Sequence, residues 1–212
     1  LKQNSLRLVR LISNLIDITK IDANYFEIHR KNLDIVNFAE LITFSVLDYA
    51  KCKNIYIIFD TDIEEKVISC DPDYIERILL NLLSNAIKFT PRGGKILVSV
   101  HDMNERITIS VIDNGIGIPV DKQKNIFNRF EKVDKSLRRE NEGSGIGLSL
   151  VKLLVNKLDG NIYLKSQPSK GSEFIVEIPC MTTPETSEFN IENTSVNNIV
   201  ERAKIEFSDI YC

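Results

Sequence analysis

The stretch NLLSNAIKFT, residues 81–90, puts two amides and an ammonium group (Asn81, Asn85 and Lys88) at i, i+4 and i+7 within an otherwise apolar helical pattern. That spacing falls in one narrow stripe of a 3.6-residue period. Asparagine is a poor interior helix former because its amide competes for backbone partners. Helix stability therefore does not account for the stripe. An amide oxygen is a hard, neutral donor suited to Mg²⁺, which takes oxygen ligands and keeps several waters. Lys88, one turn on, can meet a phosphate as a point charge.

The glycines point to the same chemistry. Of nine in the chain, five are Gly115, Gly117, Gly143, Gly145 and Gly147. Glycine serves where backbone approaches a ligand closely or takes positive φ. DNGIGIP directly follows a strand pattern, and GSGIGL directly precedes a helix pattern, whose first N–H groups and dipole favour an anion. Residues 143–147 are thus a candidate phosphate cradle. Asp113, at the strand end, can accept a hydrogen bond from an exocyclic amine such as that of adenine. Singly, each feature has a bland reading: a hairpin turn, a capping aspartate, a solvated lysine, an asparagine satisfied by a nearby loop. Their combination argues against those readings. A dinucleotide fingerprint fails, since Gly115-x-Gly117 lacks the third glycine and no strand immediately precedes Gly143. A Walker A loop is absent.

These residues need elements to hold them. Residues 1–21 read as an amphipathic helix whose seam is Leu1, Leu8, Leu11, Leu15 and Ile18, widened by Ile12 and Ile16. Such a face is expected to pair in an intermolecular bundle, with packing on its own domain as the competitor. A strand-like piece over 26–30 and a helix over 34–53 follow. IYIIFD and KVISCD read as strands. Asp71-Pro72 starts the helix that carries the stripe, and Thr90-Pro91 stops it. KILVSV and ERITISVID form a strand pair, a helix spans 147–158 before Gly160, and NIYLKS and SEFIVEI form a last hairpin. Helices alternating with antiparallel strand pairs predict an α+β sandwich, a mixed sheet covered by helices on one face.

The segment 120–140 joins the two glycine groups with seven bases against four acids. It is too long for an ordinary connection and predicts a mobile lid, anchored by Phe127 and Phe130 and offering Lys132, Lys135, Arg138 and Arg139 to phosphate. Residues 181–212 hold six acids against two bases, so the net charge of −3 leaves the rest of the chain near +1. That balance suits a small anionic ligand, not nucleic acid. The tail is polar, with apolar periodicity resuming after 195, and is open between disorder and a short docking helix. Four widely spaced cysteines are a poor disulfide framework and a poor zinc site. No apolar run is long enough to span a bilayer.

In these motifs the chain resembles the sensor histidine kinases of two-component systems. NLLSNAIKFT resembles their N box, DNGIGIP the G1 box, IFNRFEKVD the F box, GSGIGLSLV the G2 box and GSEF (171–174) the closing G-[ST]-x-F element, in the family's order. The match covers roughly 30–180. The first helix resembles the second helix of the family's dimerisation and phosphotransfer domain. The resemblance implies a Bergerat-type ATP fold over 26–180, a partial dimerisation domain over 1–25 and a tail over 181–212.

By the same resemblance, Asn85 binds Mg²⁺ with Asn81 beside the phosphates or the metal, and Lys88 and Phe89 line the phosphate and sugar end. Asp113 takes the adenine amine in a pocket shaped by Gly115, Gly117 and Ile118. Gly145, Gly147 and Leu148 sit at the phosphates, and Phe130, Lys132 and Ser172 complete the ATP site. Lys132 stands where many members have arginine, and cannot form a bidentate fork. Implied partners are a second copy through the N-terminal helix and a response regulator receiver domain, in the cytoplasm and without membrane contact, although a parent protein could be membrane-anchored. His29 and His101 lack H-box surroundings, so the phosphoacceptor histidine is expected to precede Leu1. Two other functions compete. An ATPase of the gyrase, Hsp90 or mismatch-repair type would carry a general-base glutamate where Asn81 stands. A non-enzymatic nucleotide-binding module would show damaged boxes. A serine kinase acting on an anti-sigma partner is a closer relative, but the kinase-type first helix argues against it.

Overall fold

The computed structural model describes residues 2–22, 27–129, 145–182, 196–208 and 210. Helix α1 spans Lys2–Asp22, followed by β1 (Lys31–Asp34), α2 (Ile35–Ser45), α3 (Leu47–Cys52), β2 (Tyr56–Thr61) and β3 (Val67–Cys70). Then come α4 (Pro72–Phe89), β4 (Lys95–Asp102), β5 (Arg106–Asp113), α5 (Val120–Gln123), α6 (Gly147–Lys157), β6 (Asn161–Gln167), β7 (Gly171–Pro179) and α7 (Val196–Glu206).

One five-stranded mixed sheet has the order β2-β4-β5-β7-β6, parallel only between β2 and β4. A separate ribbon pairs β1 with β3. Alternation along β4, β5 and β7 turns Val98, Val100, Ile107, Ile109, Val111, Phe174, Val176 and Ile178 inward. Register aligns them in rows: Val98 with Val111 and Phe174, then Val100 with Ile109 and Val176. Helices α2, α4 and α6 cover that face with Ile42, Ile75, Leu79, Leu82, Val151 and Leu154. This is the α+β sandwich read from the sequence.

The next row along the sheet is where site and core meet. It runs Ile96, Asp113, Ser172, Ser166. Period 2 from Ile109 and Val111 puts Asp113 on the buried face, so the apolar rows end in a polar one.

Helix α4 begins as its sequence predicts, with Asp71 accepting from the N–H groups of Asp73 and Tyr74 and Pro72 in the first turn. Its last carbonyls, on Ile87 and Lys88, accept from Lys53 Nζ at 3.0 and 2.9 Å.

Three local expectations change. The helix expected over 34–53 breaks at Val46, after Thr43 and Ser45 return their hydroxyls to the carbonyls of Ala39 and Ile42. The strand expected over 26–30 lies instead at Lys31–Asp34, because 27–30 place their groups elsewhere: the His29 N–H donates to Asp71 and the Arg30 guanidinium to the Ser69 carbonyl. Residues 23–26 lie outside the described part. Cys52 is disulfide-bonded, while Cys70 and Cys180 are free thiols. Spacing along a chain does not show which cysteines folding brings together. Burial pushes the Cys70 thiol up to about 12, which makes it inert.

For the end of the chain, the docking helix is the reading the structure supports. Helix α7 buries Ile199 and Ala203, with Phe207 and Ile210 buried just beyond it, and the Phe207 ring lies 4.8 Å from that of Tyr49. Arg202 Nη1 reaches Asp73 at 2.7 Å and Glu76 at 2.8 Å. Glu76 is 4% exposed and its Oε1 has no hydrogen-bond partner among the described residues, so burial pushes its carboxyl up to about 7 against the opposing pull of Arg202.

Between pH 4.5 and 7 the unfolded chain releases this proton while the folded protein keeps it. Glu76 therefore contributes stability that is complete at low pH and lost as pH rises through about 7. Glu76→Gln is expected to remove that slope and to be more stable than the parent at pH 8 by on the order of 2 kcal/mol. Thermal melts from pH 5 to 8 measure this, and parallel curves for the two proteins would count against it.

Candidate functional site

The polar row carries the first part of the site. The Asp113 carboxylate accepts from the Gly115 N–H at 2.8 Å and from the Ser172 N–H. It is 8% exposed, and burial raises its pKa against those two hydrogen bonds. Ser166 Oγ lies 3.1 Å from Ser172 Oγ, donates to the Gly171 carbonyl and accepts from the Ile118 N–H. Gln123 donates to the carbonyls of Ile118 and Ser166. The glycine turn is thus tied to the β6–β7 hairpin from both sides.

Gly117 has φ +65°, and a Cβ there would lie 2.0 Å from the Gln167 carbonyl oxygen. A Cβ on Gly115 would lie 2.5 Å from the Phe89 carbonyl oxygen, which also accepts from the Ile116 N–H. The turn therefore closes on the end of α4.

The second part lies two turns back along α4. Asn81 is 4% exposed, and its amide sits against the start of α6, where a Cβ on Gly147 would come within 2.5 Å of Oδ1. Asn85 donates its Nδ2 to Asn81 Oδ1 at 3.4 Å. Its own Oδ1 makes no hydrogen bond among the described residues. Lys88 is 8% exposed, with Nζ 5.7 Å from the Phe89 ring centre. Gly145 takes φ +70° just before Gly147 opens α6. Eight residues of helix separate Asn81 from Phe89, about 12 Å. A buried carboxylate thus stands beyond the C-terminal end of this stretch of α4, and two amides lie beside a glycine-led helix N-terminus at its other end. Amide oxygens and backbone N–H groups suit an anion with a hard cation.

Residues 70–182 match the family of histidine kinase-, DNA gyrase B-, and HSP90-like ATPases. The chain belongs to this family. Its likeness within the family is to the histidine kinases. The circadian input-output histidine kinase CikA of Synechococcus elongatus is 33% identical over 183 residues, covering 85% of this chain and 24% of CikA. The chain spans less than half the length of the curated relatives it matches, and about a quarter of CikA. Among solved structures, the catalytic domain of histidine kinase ThkA gives a TM-score of 0.63 at 27% identity, covering 74% of this chain and 97% of that one. ThkA in complex with the response regulator protein TrrA gives 0.67 at 26%, covering 84% and 49%. The chain thus carries an ATP-binding domain of the histidine kinase type.

In this histidine-kinase-type domain the expected residues fall into two groups. Asp113, Gly115, Gly117, Ile118, Phe89 and Ser172 meet at the sheet end, and Asn81, Asn85, Gly147 and the adjoining Gly145 meet at the start of α6. Leu148 is half-buried on α6. Phe130 and Lys132 lie outside the described residues, as does Gly143. The first part of the lid expected over 120–140 packs on the body, where α5 and the turns to 129 seat Ile126 in the core and set Phe127 edge-on to Phe174, and residues 130–140 lie outside the described part.

Sequence reading missed Ser166 and Gln123, which brace the glycine turn, and Glu206, whose Oε1 accepts from Asn81 Nδ2 at 3.2 Å. Register alone would have put Ser166 opposite Ser172. Nothing local marks Glu206.

Proposed function

We propose that this chain is the ATP-binding catalytic part of a sensor histidine kinase. It directs the γ-phosphoryl group of ATP onto a histidine nitrogen, with cleavage of the bond to the departing ADP oxygen, for relay to an aspartate of a response regulator. The observation that carries this reading is the identity and place of Asn81. It lies one turn before Asn85 and against Gly147, at the position where a hydrolytic relative needs a glutamate. An amide there cannot take a proton from water, so hydrolysis is disfavoured and positioning for transfer is what remains.

In this assignment Asn85 would hold Mg²⁺, which would neutralise charge developing on the phosphates, and Asn81 would stand beside the phosphates or the metal, its NH₂ able to donate to phosphate. Lys88 and Phe89 line the phosphate and sugar end, and Asp113 accepts from the adenine amine. Gly115, Gly117, Ile118 and Ser172 shape the base pocket, while the N–H groups following Gly145 and Gly147, with Leu148, cradle phosphate. Phe130 and Lys132 belong to the covering segment.

Helix α1 would pair with a second copy. Its apolar seam remains exposed (Leu8 59%, Leu11 42%, Ile12 49%, Leu15 50%), as an intermolecular bundle requires. The receiver partner is proposed by analogy with ThkA and TrrA. No helix among the described residues is long and apolar enough to cross a membrane. Placement in the cytoplasm is part of the proposal.

The test is a calorimetric titration with ATP, with and without Mg²⁺, on the parent chain and on Asn85→Ala. Mg²⁺-dependent binding is expected in the parent, and its loss in a variant that keeps the parent's circular dichroism. A folded parent that binds no nucleotide would move the chain to the class of regulatory modules that keep the fold alone.

A further inference from the structure

Helix α7 does more than fill a groove. Its Glu206 carboxylate is shared between two other elements. Arg10 of α1 donates to it through Nε at 3.0 Å and Nη2 at 2.5 Å, and Asn81 of α4 donates through Nδ2 at 3.2 Å. The Arg10 and Glu206 side chains are each only 14% exposed, and a two-point guanidinium–carboxylate pair is the strong form of this contact. The same Asn81 amide rests on Gly147, so Glu206 stands at the junction of α1, α4, α6 and α7.

A helix that only completed a core would need its apolar row and nothing more. That row is present, at Ile199, Ala203 and Phe207. Arg202 fixes the first turns of α4 through Asp73 and Glu76. Glu206 adds a fixed negative charge against the amide assigned to the phosphate end.

We propose that α7 is an autoinhibitory strap, with Glu206 holding the donor that a nucleotide phosphate would take. The proposal rests on the nucleotide reading given above. A carboxylate and a phosphate brought to the same Asn81 NH₂ group repel each other at close range. Nucleotide and the docked helix therefore exclude one another. Through Arg10 the same carboxylate ties α1 to the catalytic body, so the strap also restrains the helix assigned to the dimer. Release is structurally permitted: α7 contributes no strand to either sheet, and it joins the body through the residues 183–195, a polar stretch of sequence.

The experiment uses the full chain, a non-hydrolysable ATP analogue with Mg²⁺, and two readouts. These are calorimetric affinity and hydrogen exchange over 196–206. Glu206→Ala is expected to bind about tenfold more tightly, as for a site docked shut about nine-tenths of the time. Nucleotide should raise exchange over 196–206 in the parent. Ala203→Glu puts a carboxylate where the side chain is 1% exposed, evicts the helix, and should match or exceed that gain. Unchanged affinity in both variants, with exchange indifferent to nucleotide, would overturn the strap and leave the nucleotide site standing. Weaker binding by Glu206→Ala would also overturn it, making Glu206 a positioning group for Asn81. Folded proteins that bind no nucleotide in any variant would remove the nucleotide reading and the strap with it.

Discussion

Asp113→Asn is expected to weaken nucleotide binding by at least about a hundredfold while leaving the fold in place. The carboxylate already accepts two backbone N–H groups, from Gly115 and Ser172, and is acceptor-only while ionised. An asparagine keeps one oxygen and replaces the other with an NH₂, which must face an N–H donor or the adenine amine proposed to dock there. Either way two donors meet in a site that is 8% exposed, where water cannot relieve them. Sites built to hydrogen-bond a ligand reject a mismatch far more strongly than sites that only exclude volume. Acidity should act in the same direction. Burial raises the Asp113 pKa, so its oxygen becomes a hydroxyl donor at a pH above the ordinary carboxylate range. Parent affinity should therefore fall on acidification in that range, and the Asp113→Asn variant should be flat there. Titrations at a series of pH values decide it, and a variant that binds like the parent would move the adenine contact elsewhere.

The parts legible in the sequence were those in which local pattern and global fold agree. Asp71-Pro72 announced α4, and alternation in ITISVID announced β5 and carried its inward row as far as Asp113. The sandwich followed from the order of helices and strand pairs. What was not legible depended on pairing at a distance. Ser166 reads as one serine in a short exposed strand until register sets it opposite Ser172. The break at Val46 required knowing that Thr43 and Ser45 would turn their hydroxyls back on the helix and not outward. Glu206 was the hardest case. Its turn of α7 looked like the end of a polar tail, and only the docked helix brings it, from 125 residues away, to Asn81. Apolar spacing from Ile199 to Ile210 hinted at docking, but spacing carries no information about the groove that receives it.

Gly171→Ala should be severely damaging for a single added methyl, costing about 3 kcal/mol or more and about 6–12 °C of melting temperature. Two independent penalties combine there. Gly171 takes φ +97°, a region costly for any residue with a Cβ, and that Cβ would lie 1.9 Å from the Asp113 carbonyl oxygen. The colliding atom belongs to backbone in the neighbouring strand, so no side-chain rotation relieves it. Gly93→Ala separates the two penalties. It carries similar backbone strain, φ +81°, but a Cβ there meets nothing within 4 Å. Its expected cost is about 1 kcal/mol. The contrast extends to function, because the atom displaced by Gly171→Ala is part of Asp113 itself. At temperatures where both variants are folded, Gly171→Ala should bind nucleotide more weakly than the parent and Gly93→Ala should bind it equally. Equal melting temperatures for the two variants would mean that the end of the β5–β7 pair yields easily. In that case the polar row holds Asp113 less rigidly than its hydrogen bonds indicate.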